Sequence, residues 1–203
     1  MKMGKSLIPE SSFWVEILSE YLTKEYKPQD QLMIFFAGHG YFDDTFGEGY
    51  IVAKNSLLND RSRTTYVSHN RLRSVINNIP CEHIFLTMDA CFGGTFDPVI
   101  ARSRALDPYS ESTENEFLVR KLSHKTRKYL TSGGKEYVSD GIAGKHSPFA
   151  AKIIESLNEV GDGKDRILTL QEIKHIVEKL TTEPRFGSFG DDDPASDFVF
   201  VAQ

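Results

Sequence analysis

The chain has 203 residues, 39% of them hydrophobic, and a formal net charge of −5. That length suffices for one domain with a substantial core, and the acidic balance argues against nucleic acid, whose phosphates need a basic face. No long apolar stretch or cleavable leader is visible, since Met1-Lys2-Met3-Gly4-Lys5 precedes only Ser6-Leu7-Ile8-Pro9-Glu10, and two cysteines suit a reducing, cytoplasmic setting without membrane attachment.

The elements alternate in an α/β manner. Phe13, Trp14, Ile17, Leu18, Tyr21 and Leu22 form the apolar stripe of an amphipathic helix over 13–24. A strand follows at 31–37, a short one at 49–53, and a helix over 69–79 with Leu72, Val75 and Ile76 inward. A second strongly apolar strand spans 83–88. Residues 95–126 are charged and poorly periodic, apart from a short helix at 114–122. A strand at 127–131 precedes a helix from Pro148 to about Glu159, whose start is marked by Ser147 as cap and proline at its first position. A helix over 169–180 and a strand over 198–202 complete the pattern.

Two motifs carry chemistry. Leu32-Met33-Ile34-Phe35-Phe36 leads into Ala37-Gly38-His39-Gly40, and Ile84-Phe85-Leu86-Thr87-Met88 leads into Asp89-Ala90-Cys91-Phe92-Gly93-Gly94. Short apolar runs of this kind read as buried strands of a parallel sheet, and such sheets bind ligands beyond the carboxyl ends of their strands. A histidine and a cysteine therefore arrive at the same edge. A thiolate attacks carbonyls, and a nearby imidazole can take the thiol proton. The flanking glycines let a substrate backbone approach, and the amides of Gly40 and Cys91 are natural donors to an oxyanion. No third side chain is placed to orient His39. An isolated buried cysteine is usually a small core hydrophobe, which is the reading for Cys81, with no paired histidine. The flanking glycines and the strand-end placement of both residues point instead to His39 as a base and Cys91 as a nucleophile.

With these residues the chain resembles the caspase-like clan of cysteine peptidases, closest to metacaspases and bacterial caspase homologues. The caspase pattern Gln-Ala-Cys-x-Gly, with its histidine about 50 residues upstream, is retained as Ala90-Cys91-x-Gly93. Asp89 replaces the glutamine. Ser132-Gly133, the helix start Lys145-His146-Ser147-Pro148-Phe149 and the closing Asp197-Phe198-Val199-Phe200 also have family-like counterparts. The resemblance implies a three-layer α/β/α fold (caspase-hemoglobinase) with a mostly parallel sheet. It implies an endopeptidase in which Asp89, with Ser132 beside it, receives arginine or lysine as P1, the substrate residue just before the cut. It also divides the chain into a part bearing His39 and Cys91 (1–94), a linker cut by self-processing (95–126), and a smaller part (127–203). Arg102, Arg104, Arg120, Lys121 and Lys125 in the linker are candidate cleavage sites.

The family's first strands have no counterpart in this sequence. The strand leading to His39 is then expected at a sheet edge, where an uncovered apolar strand is an aggregation hazard. A covering N-terminal fragment or second subunit is expected, a fold-back of Ser6-Leu7-Ile8 being the local alternative. No cofactor is expected. Calcium dependence occurs in metacaspase relatives, but the segment from Gly161 to Glu172 places glycine where carboxylates belong, and nothing else supplies ligands. Asp191-Asp192-Asp193 reads as a solvated acidic loop, and Asp43, Asp44 and Glu48 either as another or as an attractor of basic substrates. Competing functions are a catalytically weak caspase-like scaffold and a thiol hydrolase of a non-peptide amide.

Overall fold

The structure, a computed structural model, describes residues 11–91, 93–96, 113–134, 145–159 and 166–202. Its centre is a four-stranded sheet ordered β1-β5-β6-β8, built from β1 (Gln31–Ala37), β5 (His83–Asp89), β6 (Thr126–Thr131) and β8 (Arg185–Ser188). The first three strands are mutually parallel and β8 runs antiparallel to β6.

Alternation along the strands divides the sheet into two faces. Ile84, Leu86 and Met88 share one core with Leu18 of α1 (Ser11–Leu22) and with Leu72 and Ile76 of α2 (His69–Asn77). Phe85 and Leu130 share the other with Phe149 and Ile153 of α4 (Pro148–Glu159), and with Ile173 and Val177 of α5 (Leu170–Val177). The fold is therefore a three-layer α/β/α sandwich with a mostly parallel sheet, as the resemblance implied. Complete burial of a side chain such as Phe85 stabilises by about 1.5–3 kcal/mol, which is why β5, buried up to Asp89, is largely apolar from Ile84 to Met88.

Between α1 and α2 lies a second sheet of β2 (His39–Asp43), β3 (Glu48–Val52) and β4 (Val67–Ser68). The sequence shows β3 but not β2. Gly38-His39-Gly40 reads as a turn, and β2 owes its extension to antiparallel pairing with β3. The short helix α3 (Glu114–Lys121) is closed by a capping box of Thr113 and Glu116. The strands β7 (Ile167–Thr169) and β9 (Val199–Val201) pair separately.

β1 is an edge strand among the described residues, and Phe35 is 41% exposed. No described strand pairs with its outer edge. The proposed fold-back through residues 6–8 lies outside the described residues, as do residues 97–112 of the linker and residues 161–165.

The acidic triplet is a partly solvated loop in which each carboxylate has a basic partner. Lys125 donates to Asp191 at 2.7 Å, Lys128 to Asp192 at 2.6 Å, and His124 Nδ1 lies 2.9 Å from Asp193. Basic side chains just before and within β6 thus hold the loop that follows β8. Fully buried Arg127 instead donates to the Glu82, Thr126 and Ile79 carbonyls at 3.0, 2.9 and 3.2 Å.

Candidate active site

β1 and β5 end side by side, with Ala37 opposite Asp89. The Gly38 amide donates to the Asp89 carbonyl at 3.1 Å. Beyond that point β2 begins at once, with His39 opposite Val52 and Gly40 opposite Ile51. Gly40 then meets the backbone that leaves β5. A Cβ on Gly40 would lie 1.8 Å from the Cys91 carbonyl oxygen and 2.9 Å from its carbonyl carbon. Only glycine fits there, and its neighbour His39 is carried to the segment bearing Cys91. His39 is exposed and Cys91 is 6% exposed.

The turn after Cys91 packs onto the end of β6. The Gly94 amide donates to the Gly133 carbonyl at 3.0 Å, and a Cβ on Gly93 would come within 3.0 Å of the Thr131 side chain. Two glycines thus let the strand ends of β5 and β6 close together behind the cysteine.

Asp89 and Ser132, which the resemblance puts beside each other, lie at adjacent strand ends. Met88 is opposite Thr131, and the Ser132 amide donates to the Met88 carbonyl at 2.9 Å, so Asp89 and Ser132 are neighbours at the strand ends. Both follow the alternation of Phe85, Thr87 and Leu130, which faces α4. Ser132 is fully buried, and its Oγ has no hydrogen-bond partner among the described residues. The Thr87 hydroxyl, two residues before Asp89 on the same face, is in the same state. Leaving such a hydroxyl unsatisfied costs about 1–3 kcal/mol.

Ser147, the cap of α4, also belongs to this cluster. The Ser147 hydroxyl donates to Asp89 Oδ2 while accepting from the Ala150 amide at 2.9 Å. No sequence signal links two residues 58 positions apart.

Other residues have structural duties. Asp43 is buried, accepts from Arg63 Nε at 2.8 Å and caps the Thr45 amide at 2.9 Å. Its carboxyl is held below the usual range by these hydrogen bonds, which outweigh desolvation. Glu48 accepts from the Asn70 amide at 2.9 Å. Of the three acids considered as attractors of basic substrates, Asp43 is therefore engaged in a loop and Glu48 at the start of α2, while Asp44 remains exposed. The Cys81 thiol is buried 3.3 Å from the Asp30 carbonyl and 3.4 Å from that of His83. Burial pushes its pKa up, the opposite of what a nucleophile needs.

No helix among the described residues is long and apolar enough to cross a membrane. A family model for the caspase domain, of the peptidase C14 type, matches residues 9–190. A search of curated proteins finds no match.

Proposed function

The chain belongs to the caspase-domain family of cysteine peptidases, and from that premise we propose a cytoplasmic endopeptidase of metacaspase type that cuts after arginine or lysine. The observation carrying this reading is the contact of Gly40 with the Cys91 carbonyl, which brings the histidine-bearing and cysteine-bearing segments into register. Cys91 attacks the scissile carbonyl as His39 takes its proton, with the amides of Gly40 and Cys91 facing the developing oxyanion. His39 returns the proton to the leaving amine, and water then hydrolyses the thioester.

Asp89 supports the basic P1 preference. A carboxylate at the strand ends pairs with arginine or lysine through charge-assisted hydrogen bonds and repels aspartate. Ser132 beside it brings a buried hydroxyl that lacks a partner among the described residues, and Ala37, opposite Asp89, is exposed and small. The chemistry uses protein groups and water, with no cofactor. The uncovered edge of β1 supports a further partner, an N-terminal part of the same protein or a second subunit.

The test is labelling with electrophilic peptides ending in arginine, lysine or aspartate, followed by mapping of the modified residue. Arginine and lysine probes are expected on Cys91. Preferential labelling by the aspartate probe rejects the pocket, and labelling by none of them favours the scaffold reading.

A further inference from the structure

Ser147 sits where two requirements meet. Its hydroxyl carries one proton and two lone pairs. The Ala150 amide claims a lone pair at 2.9 Å, and the Ser147 carbonyl accepts from the Ala151 amide at 2.9 Å, so the residue is locked as the cap of α4. That leaves the proton for Asp89 Oδ2, the bond that is made. The cap cannot drift. Pro148 fixes the first helical φ, while Phe149 and Ala150 are anchored in the core at 2% and 8% exposure. The Asp89 carboxylate is thus tied to the first turn of the 12-residue helix α4, which packs on the same face of the sheet.

We infer that Ser147 is a positioning residue for substrate selection, orienting the Asp89 carboxylate toward the basic P1 side chain. The inference rests on the reading of Asp89 as the P1 acceptor. Ser147 touches no substrate itself. It acts by fixing which way the carboxylate faces, through the hydrogen bond to one of its oxygens.

Capping and donation can be separated by substitution. Glycine caps a helix nearly as well as serine, whereas alanine does not, and neither can donate to Asp89. Threonine can do both. Cleavage of paired peptides differing only in arginine or leucine at P1 is measured for wild type, Ser147→Gly, Ser147→Ala and Ser147→Thr, alongside each melting temperature. The arginine-over-leucine ratio of kcat/KM is expected to fall about tenfold in both the glycine and alanine proteins, the loss of one charge-assisted hydrogen bond. Threonine is expected to restore it, and the glycine protein to melt close to wild type. A glycine variant that discriminates as wild type does overturns the inference and leaves the pocket reading standing. A wild-type enzyme without preference for arginine overturns the pocket reading, and this inference with it.

Discussion

His69 Nδ1 lies 3.1 Å from the Thr95 hydroxyl, in a buried space that the missing side chain of Gly49 leaves open. The contact joins the start of α2 to the turn that follows Cys91. Burial, with Arg73 adding repulsion, pushes the His69 pKa down from 6.5 to about 3. The folded protein therefore keeps this ring neutral where the unfolded chain would protonate it. Stability from this site is complete above about pH 6.5 and is lost as pH falls from there toward 3. Between pH 7 and pH 5 the loss is about 2 kcal/mol. His69→Asn, which can keep the Thr95 hydrogen bond without titrating, is expected to remove that part of the acid sensitivity. Urea unfolding at the two pH values checks this, and an unchanged pH dependence contradicts it. His83, also buried and lowered, acts in the same direction in both proteins and cancels.

Gly40→Ala is expected to damage the site from the backbone. The added methyl would overlap the Cys91 carbonyl, so one segment must move, at a cost of about 1–3 kcal/mol. Peptide cleavage should fall by about 100-fold or more, since small misplacements of reacting groups cost that much. Thermal unfolding and kcat/KM are measured together. An alanine protein with wild-type kcat/KM removes the contact from the account.

How much of this was legible in the sequence depends on the range of the interactions. The β1 and β5 runs are apolar beyond any amphipathic pattern, and each ends in a glycine-flanked polar motif, so the site's place at the strand ends could be read directly. β2 could not, because a strand beginning His39-Gly40 has no local preference for extension and forms only against β3. β8 is similar: Arg185-Phe186-Gly187-Ser188 has no apolar alternation, and pairing with β6 makes it a strand. Asp43 and the Asp191–Asp193 triplet looked like free charge because their partners, Arg63, Lys125, Lys128 and His124, are distant in sequence or ordinary in type. The bond between Ser147 and Asp89 was hidden for the same reason.

The edge of β1 is expected to be protected only when a partner covers it. Amide exchange over residues 31–37 should be fast for an edge of this kind and slow once an N-terminal part or second subunit is added, with light scattering to report the assembly. A stable monomer whose amides in this strand are already strongly protected would show that the chain closes its own sheet.

Self-cleavage is expected within 95–126. Of the candidate sites, Lys125 should be cut last, because its ammonium is held 2.7 Å from Asp191 and nicking favours exposed, unanchored chain. Prolonged incubation of wild type and Cys91→Ala, followed by mass spectrometry, decides this. Fragments from wild type alone support processing in which Cys91 is the nucleophile, and identical intact masses under conditions that support peptide cleavage count against it.

The most direct measurement is kcat/KM on an arginine-P1 peptide for Cys91→Ala and Cys81→Ala side by side, with circular dichroism to verify that both fold. Cys91→Ala is expected to lose at least about 10,000-fold, as enzymes do when the nucleophile is removed and only binding and oxyanion stabilisation remain. Cys81→Ala should stay within about threefold of wild type, because trimming a buried residue away from the chemistry affects stability rather than turnover. Wild-type turnover by folded Cys91→Ala, with loss in Cys81→Ala, would contradict the assignment of the nucleophile.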